Sequence, residues 1–369
     1  MKTIRPSSNE KVTNHKASAT RTRLLGIHGA RGTGKTCYLA CLYGRRATEH
    51  AAVVFRDDDT INHLEAIWST LEQGDLPPAT ALTLPTEIRM ELNTAGLSWN
   101  LNTQDYAGAL VQRSETGVPE LKEGVREWLK SCHAILLFIG IDADERSLRE
   151  RHNELDLLIT ELKKLSLDGN TIARPLALLL TKWDIHGPPS QDLAQERERA
   201  WEFLGTNSSF KQIAESLRKC GDRVEIFPVS SFGSHQEGNR PPLGGPHPVG
   251  HIEPLVWIAQ KTDEMLLEKT RRDAQQLAGP QLWWWQRRYA AAVDCYRNLI
   301  NKDGINKGPL YETARKELQH WRFQHLKRNL HQLIVGMIAF ASITYAGLRW
   351  EDTPYMRQPR KPSRIPRFT

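Results

Sequence analysis

The segment around Gly29-Ala-Arg-Gly-Thr-Gly-Lys-Thr36 constrains the fold more than any other part of the chain. A short apolar run, Arg23–Ala30, leads into it, and a helical pattern, Thr36–Arg46, follows at once. The spacing is GxxxxGK[ST] between a strand and a helix, the arrangement that lets backbone N–H groups close around an anion. Glycines permit the turn, and the helix N-terminus adds its positive end. Gly29, Gly32, Thr33, Gly34, Lys35, Thr36 and Cys37 are therefore the candidate phosphate-binding residues. Lys35 has the reach for β- and γ-phosphate oxygens, and the Thr36 hydroxyl suits Mg²⁺. The motif does not decide between adenine and guanine.

A strand that feeds a helix in this way belongs to a parallel sheet, and the following sequence keeps alternating. Ala51–Phe55 reads as a strand and Thr60–Gln73 as a helix with Ile61, Leu64, Ile67, Trp68 and Leu71 on one face. The Pro pair in 76–80 forces a loop. Glu87–Asn93 and Leu97–Gln104 read as a hairpin turning at Thr94–Gly96. Leu121–Lys130 is a helix. Ala134–Ile141 and Pro175–Leu180 are too apolar for one-sided strands and are expected to be buried on both faces. Between them, Glu150–Leu165 is helical. One long helical stretch, Gln191–Lys219, precedes a last strand, Arg223–Val229. The predicted class is α/β, a doubly wound and mostly parallel sheet with one antiparallel hairpin. No period repeats along the chain.

The Gly- and Pro-rich stretch 233–250 is expected to be a surface loop. Ile252–Glu268 is expected to close the domain by packing Leu255, Trp257 and Ile258 on the sheet. From Leu282 the composition changes to three Trp and basic helical sequence. The expected divisions are a disordered basic arm 1–22, an α/β domain 23–270, a helical extension 271–329, an apolar helix 330–350 and a basic tail 351–369. The formal net charge is +7, and much of the excess lies in the two ends. That pattern carries no specific nucleic-acid signal. Five Cys without a CxxC pair argue against a disulfide framework or a structural zinc site and for a reducing compartment. Residues 1–23 hold no apolar segment of the secretory kind.

Two further constellations carry chemistry. Asp105-Tyr-Ala-Gly108 follows the second hairpin strand. A carboxylate at that strand tip can hold Mg²⁺, and Gly108 can bring its backbone N–H against a γ-phosphate. Thr80, on the loop before the hairpin, is the candidate to close over Mg²⁺ and γ-phosphate. Thr60, the alternative, has the look of a helix N-cap. Lys35, Thr80 and Gly108 are thus the catalytic candidates, and Thr36, Thr80 and Asp105 the metal ligands. The second constellation is Thr181-Lys-Trp-Asp184 after a buried strand, with Val229-Ser-Ser-Phe232 after the next. Asp184 can accept from guanine N1–H and N2–H₂, a donor pair that adenine lacks. Lys182 can lay its stem along the base. Ser230 and Ser231 sit where a backbone N–H can reach guanine O6.

With these motifs in order, the chain resembles a translation-factor-related, Ras-like P-loop GTPase. Through GDLPPAT and PVGHIEPLVWI it is more closely similar to the bacterial double-GTPase domain family. The resemblance covers roughly residues 22–270. It implies GTP as substrate, Mg²⁺ as cofactor and a nucleotide-gated switch. It also implies unidentified protein partners in a bacterial signalling or defence system. Two departures stand out. Thr181 replaces the usual Asn, which removes a side-chain amide that ties this loop to the phosphate cradle. Ala109 stands where Ras-like enzymes have a water-positioning Gln, so hydrolysis is expected to be slow without a partner. An ATPase with the same cradle and a non-hydrolysing GTP-dependent membrane scaffold are the competing readings.

Residues 333–348 carry no charge over sixteen positions. Extended to 330–350 they approach bilayer length, with Tyr345 and Trp350 near one end. The segment is expected either to attach a cytoplasmic protein to the membrane's inner face or to pack as a buried helix on the three Trp.

Overall fold

The computed structural model describes residues 22–29, 32–48, 51–77, 87–94, 97–105, 111–113, 119–142, 145–166, 172–190, 192–208, 210–233, 240–242, 245–278, 288–301 and 308–351. The α/β part opens with β1 (Arg23–Gly29), α1 (Lys35–Gly44), β2 (Ala51–Phe55) and α2 (Asp58–Glu72). The hairpin strands β3 (Glu87–Thr94) and β4 (Leu97–Asp105) follow, then a short pair, β5 (Val111–Arg113) and β6 (Pro119–Leu121). Next come α3 (Glu123–Ser131), β7 (Ala134–Gly140), α4 (Glu145–Lys164), β8 (Leu176–Thr181), α5 (Leu193–Thr206), α6 (Lys211–Arg218) and β9 (Val224–Val229).

Seven strands form one sheet in the order β2-β3-β4-β1-β7-β8-β9. β1 pairs in parallel with β4 and β7, and β7, β8 and β9 continue in parallel. β3 is antiparallel to both its neighbours, so it alone is reversed in this sheet. This is a mostly parallel α/β sheet of the P-loop NTPase-like type, with a helical region after it. β5 and β6 make a separate two-stranded antiparallel sheet.

Alternation along the central strands explains why they are apolar throughout. Ile135, Leu137 and Ile139 of β7 and Leu176, Leu178 and Leu180 of β8 face α3, α4, α5 and α6. Ala134, Leu136 and Phe138, with Ala177 and Leu179, face the opposite layer, built on α1 and the first half of α7 (Glu253–Ala278). Every residue of β7 and β8 is buried. All parallel strands point the same way, so the ends of β1, β4, β8 and β9 open on one edge of the sheet, where ligands of open α/β sheets bind.

Three local expectations are corrected. The helical stretch 191–219 is two helices, because α5 ends at Asn207 and Phe210, 1% exposed, turns inward to start α6. Asp57, not Thr60, caps α2: its carboxylate accepts from Thr60 N at 2.9 Å and from the Thr60 hydroxyl at 2.6 Å. The closing helix α7 runs to Ala278, continuous through position 270. Its first half is fixed on the sheet by a buried trio. Arg23 Nη2 donates to Asp263 Oδ1 at 2.8 Å, and Trp99 Nε1 donates to Asp263 Oδ2 at 3.0 Å.

The second half of α7 shares a separate apolar core with α8 (Tyr289–Asn301) and the start of α9 (Pro309–Glu351). α9 has 43 residues, and beyond Trp321 it leaves that core. Leu333, Ile334, Val335, Met337, Ile338, Phe340, Ile343 and Tyr345 are all exposed. The expected packing on Trp283–Trp285 lies outside the described residues. Among the described residues, no helix is long and apolar enough to cross a membrane. Side chains of 346–350, part of the expected anchor, are outside the described set.

Candidate functional site

The phosphate cradle is built where β1 hands over to α1. Gly32 and Gly34 both adopt φ +81°, the left-handed region that a residue with a Cβ enters at a cost. Gly34 is also the N-cap of α1, with no side-chain cap and no acidic residue in the first turn. The helix end therefore keeps its backbone donors and its positive field for an anion. Lys35 Nζ lies in the same cradle and donates to Gly29 O at 2.6 Å. Thr33 is buried, and Thr36 and Cys37 are half-buried at the first turn. Burial raises the Cys37 thiol to about 11, against the opposing pull of the Lys182 ammonium. A thiol so raised is protonated near neutral pH.

The second corner forms at the ends of β8 and β9. Ser230 Oγ donates to Asp184 Oδ1 at 2.6 Å and itself accepts from Gly233 N at 2.8 Å. Asp184 is 6% exposed, and that contact leaves Oδ2 outside the Ser230 bond. Lys182 sits at φ +60°, which no other non-glycine residue among those described shows above zero. Its ammonium pairs with Asp142 Oδ2 at 2.5 Å, just past the end of β7. Trp183 turns the other way. It is fully buried, and its Nε1 donates to Glu196 Oε2 at 2.6 Å. Burial alone would raise the Glu196 carboxyl. Donors from Ser190 N, Trp183 and Arg199 outweigh that and hold it below its ordinary value. The Trp thus anchors the turn from below while Lys182 and Asp184 stay on the edge.

The corners are joined by Thr181. Its hydroxyl, 3% exposed with the rest of the residue, donates to Thr33 O at 2.7 Å and lies 3.2 Å from Ile139 O. The expected loss of the tie between base loop and cradle is therefore corrected. The hydroxyl reaches the cradle backbone directly, because β8 ends beside β7 with Gly140 opposite Thr181.

Asp105 ends β4, and the parallel register sets it opposite Ile27, two residues before the cradle begins. A carboxylate and the Thr36 hydroxyl form an all-oxygen donor set, which suits Mg²⁺. The Asp105 side chain, and Thr80, Gly108 and Ala109 altogether, lie outside the described residues. Asp142, Glu196 and the Thr181 hydroxyl bond were not anticipated. The first two look like ordinary surface acids in sequence, and only the pairing of β7, β8 and α5 brings them in.

A mostly parallel α/β sheet with a glycine cradle at the end of its central strand defines a P-loop NTPase-like domain. Within it, residues 26–160 match the family model described as Double-GTPase 1. That family points to GTP binding and hydrolysis. The match ends before Thr181–Asp184 and Ser230–Ser231. The comparison with curated proteins returned no match.

Proposed function

We propose that the chain is a Mg²⁺-dependent GTP-binding and GTP-hydrolysing switch, slow in isolation and accelerated by a protein partner. The observation that carries it is the Asp184–Ser230 pair, tied through Thr181 to Thr33. It sets a carboxylate acceptor at a fixed place relative to the phosphate cradle. The cradle amides from Gly29 to Cys37 and Lys35 bind the phosphates. Asp184 accepts from guanine N1–H and N2–H₂, Lys182 leaves Asp142 to lie along the base, and a Ser230 or Ser231 N–H meets O6. Thr36, Asp105 and Thr80 would hold Mg²⁺, which when bound neutralises charge on the β- and γ-phosphates. Gly108 senses the γ-phosphate. With Ala109 after it, the attacking water lacks the usual amide partner.

The exposed end of α9 is proposed to attach the domain to an anionic lipid surface. Its apolar side chains face every side of the helix, which a one-sided protein groove does not require. Lys327, Arg328 and Arg349 flank the stretch. Single-turnover phosphate release from GTP, with and without anionic vesicles, tests the proposal. No release under either condition removes the hydrolytic part.

A further inference from the structure

Residues 245–252 are not a free surface loop. They run against the base-side corner as a strap. Ser230 and Val249 exchange two backbone hydrogen bonds, at 3.1 and 2.9 Å, and His247 N donates to Phe232 O at 3.2 Å. Gly250 makes the approach feasible: it has φ +77°, and a Cβ there would stand 2.5 Å from Pro228 O. The strap then delivers His251, 5% exposed, between the base loop and α1. The His251 ring stacks on Tyr38 with centroids 5.0 Å apart and planes at 18°. Tyr38 Oη donates to His251 O at 2.7 Å. One turn further along the same face of α1, Cys41 Sγ lies 3.5 Å from Ser231 O.

The imidazole has two polar contacts, Nδ1 to Val249 O at 3.1 Å and Nε2 to Ser231 Oγ at 3.3 Å. A carbonyl only accepts, so Nδ1 carries the proton. Nε2 is then the acceptor, and the Ser231 hydroxyl donates to it. Burial supports this neutral form by pushing the ring down to about 3.

We propose that His251 is a positioning residue for the guanine pocket, fixing Ser231 and its loop to α1, the helix that carries the phosphate cradle. Base and phosphate sites are then set by one helix. Thr181 joins them from the β8 side and His251 from the β9 side. The inference rests on the guanine reading of Ser230–Ser231. It predicts that His251 acts on the base half of a nucleotide and spares the phosphate half.

The test is calorimetric titration of the full chain with GDP, ADP and inorganic tripolyphosphate in the presence of Mg²⁺. His251→Phe keeps a ring against Tyr38 and removes both nitrogens. It should weaken GDP about tenfold, the value of roughly one hydrogen bond. Tripolyphosphate affinity should stay within about twofold by the same reasoning. His251→Gln, which returns an acceptor, should recover much of the loss. If the Phe variant does not fold, Ser231→Ala removes the same bond from the other side and should show the same GDP-selective loss. Equal losses for GDP and tripolyphosphate, or none for either, overturn the proposal. A wild type that binds GDP and ADP alike refutes the guanine reading instead. His251 must then still lower the diphosphates relative to tripolyphosphate.

Discussion

Thr181→Val asks whether one hydroxyl holds the two halves of the site together. Valine matches the shape of threonine, so no cavity opens, and β-branching is kept at the end of β8. What is lost is the 2.7 Å donation to Thr33 O, with the 3.2 Å contact to Ile139 O. The group is nearly inaccessible to water, so water does not readily replace the lost donation to the Thr33 carbonyl. Losing a buried partner costs on the order of 1–3 kcal/mol. One proton serves one acceptor well, and the shorter bond to Thr33 holds most of the effect. We therefore expect about 1–2 kcal/mol less stability in urea unfolding, with an unchanged m-value. Because Thr33 lies in the cradle, GTP affinity should fall by roughly five- to thirtyfold if the same energy is lost from the bound state. Thr181→Ser keeps the hydroxyl and should stay near wild type in affinity. A Val variant with unchanged GTP affinity and unchanged stability would refute the claim that this bond couples the corners.

Three other outcomes follow from the same contacts. Asp263→Ala removes the carboxylate that the buried Arg23 and Trp99 both donate to and should cost about 3–5 kcal/mol in urea unfolding, far more than an exposed pair such as Lys130–Glu127. Glu196 is held below its ordinary value of 4.5 in the folded chain. Its contribution is therefore present above that value and lost as pH falls through the folded one. Glu196→Gln should flatten the acid limb of the stability profile and weaken the anchor of Trp183, read by denaturation from neutral pH down through the region below 4.5. On α9, Ile338→Glu with Phe340→Glu should abolish co-flotation with anionic vesicles and leave GTP affinity unchanged. Equal flotation of variant and wild type would remove the lipid proposal.

Much of the architecture was legible because apolar runs report burial directly. β7 and β8 could be recognised as central from their lack of alternation, and the layers on both sides confirm the reason. The cradle was legible because its glycines are needed for backbone shape whatever the surroundings. Less visible was anything that depends on partners far along the chain. Nothing local marks Phe210 as the break between α5 and α6, since the break exists to bury its ring. Thr181 looked like a loss because a short hydroxyl replaces a longer amide. Only the packing of β8 beside the cradle shows that the short group reaches. The Gly- and Pro-rich composition of 233–250 signals irregular backbone equally well for a free loop and for a strap, and the Ser230–Val249 bridge distinguishes them.

The central claim is that Asp184, held by Ser230, makes this cradle a guanine site. The most direct measurement is equilibrium affinity for GTP and for ATP, with Mg²⁺, in wild type and Asp184→Ala. Wild type should prefer GTP by at least about a hundredfold, since a buried carboxylate facing two missing donors discriminates strongly. The variant should lose most of that preference through weaker GTP binding, with ATP affinity little changed. Equal binding of the two nucleotides by wild type, or a preference that survives the substitution, would contradict the account.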